Sequence, residues 1–255
     1  MNARTDNTHP IASHDQWLAQ RLQLLAREKE LTRLHDEIAR ERRALPWLRM
    51  PKSYLFDTPQ GQRTLAELFE GKRQLLVQHF MLAPGWDEGC KSCSFMADHT
   101  DGMLAHLAQR DVAFTAISRA PLAEIERFRA RMGWRFNWAS SHGSDFNADF
   151  GVSFSGAQMS TGEVAYNYRM QPFPHEEAPG ISVFYRDEAS GEVFHTYSCY
   201  GRGVEVMMGT YQLLDLLPKG RDEDRLGYGM EWVRHHDRYE DARSAPAAAS
   251  SCCGR

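Results

Sequence analysis

Two apolar runs constrain this chain more than any other feature in it. Gln74–Leu82 (QLLVQHFML) and Val112–Ser118 (VAFTAIS) are nearly continuous in hydrophobic residues, whereas a strand with one face in water alternates. Such runs suit central strands covered on both faces. Between them Cys93–Gln109 reads as helix, with Met96, Met103, Leu104 and Leu107 on one side. After the second run comes PLAEIERFRARMGW, where Pro121 at a first helical position, followed by Glu124 and Glu126, marks a helix start. Strand, helix, strand, helix predicts a parallel α/β sheet.

The flanks are read against that centre. From Tyr54 the pattern gives a short strand, a Pro/Gly turn and a short helix at Leu65–Phe69. Trp134–Pro179 is rich in Gly, Ser and Asn and reads as a short strand at Asn137–Ser140 followed by an insertion. Ile181–Ser198 alternates on both sides of Ser190–Gly191, the signature of a hairpin. A last helix is predicted over Glu205–Leu217, stopped by Pro218.

Upstream, Leu18, Leu22 and Leu25, then Leu31, Leu34 and Ile38, recur at helical steps across residues 15–45. This predicts an amphipathic helix that packs on the body or, in a homodimer, on a second subunit. Its basic residues are matched by Glu28, Glu30, Asp36, Glu37 and Glu41, which argues against a DNA-binding face. The expected organisation is an N-terminal helical extension (1–50), one main domain (51–240) and a disordered, cysteine-containing tail (241–255).

Composition narrows the function classes. A formal net charge of −4 gives no reason to expect nucleic acid or an anionic membrane as partner. No apolar run reaches the roughly 18 residues of a membrane span, and the polar N-terminus lacks the apolar core of a secretory signal. The expected location is the cytoplasm, where thiols stay reduced. Five cysteines in 255 residues make no disulfide framework there. A close cysteine pair in that setting points to catalysis or metal binding.

That pair lies in GWDEGCKSCSFMADH. Cys90 falls where a strand ends and a helix begins, and Cys93 lies one helical turn on. The attacking species is the thiolate, which the unpaired N–H groups and dipole of a first helical turn favour, with Lys91 adding a positive charge. Attack by Cys90 on a disulfide and resolution by Cys93 is the exchange that this spacing supports. Arg119 follows the end of the second central strand, so it is expected on the same rim, stabilising a thiolate, orienting an anionic substrate, or held by a structural partner. Half a zinc site is the competing reading, but no second pair at comparable spacing is present, so neither metal nor cofactor is expected. His79 reads as a packed or substrate-side residue, Asp145 with Asn147 as a helix cap or, with His142, a wall of the site. Cys199 reads as a buried free thiol. Cys252–Cys253 in the tail could bind soft metals or relay oxidation.

The order RRALPW, YLFDTPQGQRTLAELFEGKRQLLVQHFM, GWDEGCKSCSFMADH, ISRAPLAEIERFRARMGW, SSHGSDFNADFGVSF and VFHTYSCYGRGVE resembles the thioredoxin-like family known as domain of unknown function 899. Its members are labelled predicted dithiol-disulfide oxidoreductases. The resemblance covers about residues 15–240. It implies an α/β thioredoxin-like fold, a central mixed sheet flanked by helices, elaborated by the N-terminal helix and an insertion before the C-terminal hairpin. It matches Cys90 to the attacking and Cys93 to the resolving cysteine. It also implies a cis-proline facing them from the start of a later strand, with Pro179 the candidate and Pro174 the fallback. Thioredoxin has Trp directly before its first cysteine and Gly-Pro between the two; here Trp86 is four positions upstream and the pair encloses Lys-Ser. The implied partners are a protein or small-molecule disulfide and an unidentified electron donor. A peroxiredoxin-like thiol peroxidase and a redox-silent or metal-binding module of the same fold remain the alternatives. Peroxidases place a Thr between Pro and Cys, which Pro84–Cys90 lacks.

Overall fold

Where the backbone hydrogen bonds of the two apolar runs go decides the architecture. In the computed structural model, which describes residues 9–239, Gln74–His79 and Val112–Ser118 pair in parallel, from Gln74 opposite Val112 to His79 opposite Ile117. The strands are β1 (Leu48–Arg49), β2 (Leu55–Thr58), β3 (Gly61–Thr64), β4 (Gln74–His79), β5 (Val112–Ser118), β6 (Asn137–Ser140), β7 (Val164–Tyr166), β8 (Arg169–Gln171), β9 (Gly180–Arg186) and β10 (Val193–Tyr200). Eight form one mixed sheet in the order β1-β10-β9-β4-β5-β6-β2-β3. β6 is parallel to β5, while β9 runs antiparallel to β4 and forms a hairpin with β10. A strand–helix–strand crossover beside an antiparallel hairpin, with the hairpin on the other side of β4, is a thioredoxin-like arrangement.

The continuous hydrophobicity of β4 and β5 has the expected cause. On β5, Phe114 and Ala116 enter one core cluster and Ala113 and Ile117 the opposite one. The helices are α1 (His14–Ala44), α2 (Lys91–Ala97), α3 (Thr100–Gln109), α4 (Leu122–Met132), α5 (Phe146–Asp149), α6 (Gly156–Ser160) and α7 (Gly209–Leu214). α2, α4 and α7 supply Met96, Phe128 and Tyr211 to the first cluster, and α5 supplies Phe146 to the second. Full burial of side chains of this size stabilises the fold by about 1.5–3 kcal/mol each.

Several expectations shift. The Gln74–Leu82 strand ends its ladder at His79, although Phe80 N–H still donates to Ile117 O at 2.9 Å and Ala120 N–H to Leu82 O at 2.9 Å. Cys93–Gln109 is two helices, not one. At the break His99 N–H reaches back only to Met96 O, at 3.3 Å. Its neighbours are held from elsewhere: Asp98 accepts from Trp134 Nε1 at 2.9 Å, and His99 Nε2 accepts the Thr210 N–H at 3.1 Å. The predicted last helix Glu205–Leu217 splits into a 3-10 segment, Gly201–Met207, and the short α7. The insertion holds a small β7–β8 hairpin, turned by Asn167 and Tyr168, both at positive φ (52° and 62°). Pro121 caps α4 rather than opening it.

The chain divides into two compact units at Pro46/Trp47. In the second, Trp47 stacks 4.8 Å from Tyr185 and β1 pairs with β10. In the first, α1 starts at a capping box: Ser13 Oγ accepts the Gln16 N–H, and Gln16 Oε1 accepts the Ser13 N–H at 3.0 Å. It stops at Leu45, which is extended (ψ 141°), as a residue before proline must be. No residue of α1 is buried. No helix among the described residues is long and apolar enough to cross a membrane. Cys252, Cys253 and the tail from Ala242 lie outside the described residues.

Candidate active site

β4 and the segment that extends it deliver the chain to Cys90. Beyond β4, Met81 O accepts the Cys90 N–H at 3.0 Å, fixing the cysteine at the N-cap of α2. Gln78, fully buried on β4, donates to Cys93 O at 3.1 Å and anchors the first turn of α2. The approach loop is tied down as well. Gly89 O accepts from the buried His235 ring at 2.9 Å, and Glu88 accepts from Arg131 Nη1 at 2.8 Å and Arg238 Nη1 at 3.0 Å. Gly89 has no room for a side chain, since a Cβ would lie 2.6 Å from Phe80 and 2.7 Å from Phe128.

The two cysteines differ in the way that thiol exchange needs. Cys90 is half-buried and Cys93 is 1% exposed. Hydrogen bonds from the Cys93 thiol and from the backbone N–H groups of Cys93 and Ser92 hold the Cys90 thiol well below its ordinary value, against the opposing effect of burial. Cys93 moves the other way, raised by its bond to Cys90, by burial, and by the negative charges of Cys90 and Glu177. Both are free thiols. Cys90 and Cys93 line one cavity of about 590 Å³, with Pro179, Tyr166, Phe173, Met208 and Met230 among its other walls.

Residues 6–239 match the family model of bacterial proteins of unknown function, DUF899. The chain belongs to this family. No curated protein sequence matches it. Among solved structures, this DUF899 protein is similar to peroxidoxin BcpB of Mycobacterium tuberculosis, at 13% identity and a TM-score of 0.38, over 65% of this chain and 97% of that one. It is similar to peroxiredoxin Q of Xanthomonas campestris at 11% identity and a TM-score of 0.38, over 62% and 89%. A third likeness is to a protein described as a thiol:disulfide interchange protein DsbE, of Chlorobium tepidum, at 10% identity and a TM-score of 0.39, over 66% and 97%.

The other residues singled out in the sequence separate. Pro179 does line the cysteine cavity, immediately before β9, and its carbonyl accepts the Tyr166 hydroxyl at 2.7 Å. No peptide bond among the described residues is cis, so the cis geometry expected of Pro179 is not met. Pro174 is exposed. Arg119 is held elsewhere: its Nε donates to the buried Glu177 at 2.5 Å and its Nη2 to Glu176 at 3.0 Å. Lys91 Nζ donates to Glu231 O at 3.0 Å and lies 5.7 Å from the centre of the Tyr228 ring. Trp86 is half-buried against the same core cluster as Cys90 and is not among the residues that line the cavity.

His142 and Asp145 border a different depression, and Asp145 meets Lys52 at 3.1 Å without capping α5 through its side chain. Asn147 accepts from Ser141 Oγ at 2.7 Å. Cys199 on β10 is half-buried and donates to Gly203 O. His79 is packed on the opposite face of the sheet against Phe146 and Phe150. Among the described residues no three His, Cys, Asp or Glu side chains are gathered as ligands of a metal would be. The cavity walls Tyr166, Phe173, Met208, Tyr211, Arg221, Glu223 and Met230 were not singled out in the sequence; Glu177, two residues before Pro179, was legible only as one acid among many.

Proposed function

We propose that this DUF899 protein is a thiol–disulfide oxidoreductase working in the reducing cytoplasm, with Cys90 as nucleophile and Cys93 as resolving thiol. The observation that carries this reading is the placement of two free cysteines at the start of α2 on one cavity, Cys90 half-buried at the N-cap and Cys93 buried one turn on, with Cys90 biased to thiolate and Cys93 to thiol. The Cys90 thiolate attacks one sulfur of a substrate disulfide, forming a mixed disulfide and expelling the other half as a thiolate that takes a proton from water. Once Cys90 is bonded to substrate it has neither charge nor lone thiolate to hold the Cys93 proton, so the largest cause of the raised Cys93 value disappears. Cys93 then passes its proton, through water, to the departing substrate sulfur as it attacks Cys90 Sγ and breaks the mixed disulfide. The second substrate thiol leaves, and a Cys90–Cys93 disulfide carries the two-electron loss until an external dithiol reduces it.

Hydroperoxide reduction is less well supported, because Arg119 and Lys91, the two cations singled out in the sequence, are bound to Glu176, Glu177 and the Glu231 carbonyl. The test is dithiothreitol-dependent turnover of a model disulfide. Wild type is expected to cycle, Cys90→Ser to be inactive, and Cys93→Ser to accumulate the mixed disulfide detectable by mass. A wild type that does not cycle, or a Cys90→Ser variant that cycles equally well, ends this reading.

A further inference from the structure

The walls of the cysteine cavity point to a substrate class. Cys90 and Cys93 both line a recess of about 590 Å³, a size that encloses small ligands. Two segments remote in sequence build its sides. From the insertion, Tyr166 is fixed by donating to Pro179 O at 2.7 Å and accepting the Gly201 N–H at 2.8 Å, and it packs 4.9 Å from Phe173. From the C-terminal segment, Glu223 gathers the Tyr211 hydroxyl at 2.5 Å, the Trp232 Nε1 at 2.6 Å and the Met230 N–H at 2.9 Å.

The surface these locks present is apolar and adaptable. Met81, Met96, Met208 and Met230 all line it, and methionine accommodates varied apolar shapes. The charges that border it are spent on each other. Arg202 Nε donates to Glu205 at 2.7 Å, and Arg221 bridges Glu205 at 3.1 Å and Asp215 at 2.8 Å while stacking 4.0 Å from the Tyr211 ring. Glu223 is occupied as described. A substrate rich in carboxylates would have to displace one of these pairs to be neutralised.

Resting on the dithiol reading above, we infer that the substrate is a small, uncharged disulfide with an apolar body, of the dialkyl type, rather than a peptide-based disulfide such as oxidised glutathione or a protein disulfide. The reaction is unchanged: one substrate S–S bond breaks, two thiols leave, the Cys90–Cys93 bond forms, and an external dithiol supplies the two electrons that reset it.

The experiment compares kcat/KM of wild type, recycled by dithiothreitol, on diethyl disulfide, dibutyl disulfide, bis(2-hydroxyethyl) disulfide, oxidised glutathione and insulin. Efficiency is expected to rise about fourfold per methylene buried, the fold-change equivalent to ~0.8 kcal/mol per CH₂, and to be at least about tenfold lower on oxidised glutathione and insulin than on dibutyl disulfide. Phe173→Ala, at a half-exposed wall position, is expected to shrink the ratio of dibutyl to bis(2-hydroxyethyl) efficiency. Turnover dependent on Cys90 that is as efficient on insulin or oxidised glutathione as on dibutyl disulfide overturns the inference and leaves the oxidoreductase standing. An unchanged ratio in Phe173→Ala also overturns it. Failure on every disulfide overturns both.

Discussion

Cys90 owes its bias to donors supplied within four residues. The Cys93 thiol contributes most, followed by the N–H groups of Cys93 and Ser92, and together they bring its pKa down to about 6. Alkylation by iodoacetamide is therefore expected to rise with pH through about 6 and level off above it, where an ordinary thiol would still be rising near 8.5. Cys93→Ala removes the largest contribution and is expected to move that midpoint upward; an unmoved midpoint would show that Cys93 is not the donor. Gly89 makes a different demand. Because a Cβ there would meet Phe80 at 2.6 Å and Phe128 at 2.7 Å, Gly89→Ala is expected to cost about 1–3 kcal/mol in urea unfolding, the usual range for overpacking. The cysteines were legible as residues because their spacing is a motif. Gly89 was not, since its constraint comes from two rings, one of them on α4.

Elements were legible where the pattern is local. The β9–β10 hairpin announces itself through alternation and Gly191, which takes φ 73° in the turn, and α1 through its leucine steps. The capping box at Ser13 makes a specific demand on that helix: Ser13→Ala is expected to cost about 1 kcal/mol of helix stability, read as faster hydrogen exchange of the first-turn amides. Equal exchange would remove the cap from the account. The α2–α3 break was not legible. No Gly or Pro marks it, and the groups that hold Asp98 and His99 there come from Trp134, His236 and Thr210. The β7–β8 hairpin was missed because its turn uses Asn167 and Tyr168, and tyrosine is not a residue that signals a positive φ.

At the scale of the molecule, acid stability should follow His79. The ring is 1% exposed, donates to or accepts from Ser182 Oγ at 2.7 Å, and burial, with the nearby His195 charge as a lesser cause, pushes its pKa down to about 3. The unfolded chain takes up that proton at about 6.5 and the folded protein resists it, so stability is lost as pH falls below about 6.5, by up to ~1.4 kcal/mol per pH unit. Between pH 7 and 5 wild type is expected to lose up to about 2 kcal/mol that His79→Gln does not lose, measured by urea unfolding of both proteins at both pH values. Parallel losses would assign the acid sensitivity to other groups. Glu88 and Asp237 act in the same direction at lower pH. Their carboxyl values are held down by Arg131, with His235 and Arg238 also acting on Glu88, so the ties between the approach loop and residues 235–238 hold above the ordinary carboxylate range and weaken as pH drops through it.

The sequence by itself determined the two central strands, the hairpin beside them, and a dithiol at a strand-to-helix junction. Each rests on periodicity or spacing among neighbours, and neighbours are what a sequence orders. Only the tertiary structure decided that Lys91 donates to the Glu231 carbonyl, 140 positions away, that Arg119 belongs to Glu176 and Glu177, and that Pro179 lines the cavity through a trans bond. It also decided the walls that give that cavity its apolar character. Those outcomes depend on which groups a long loop brings within about 3 Å of one another, where a hydrogen bond or ion pair gains its full strength, and no local pattern encodes that approach.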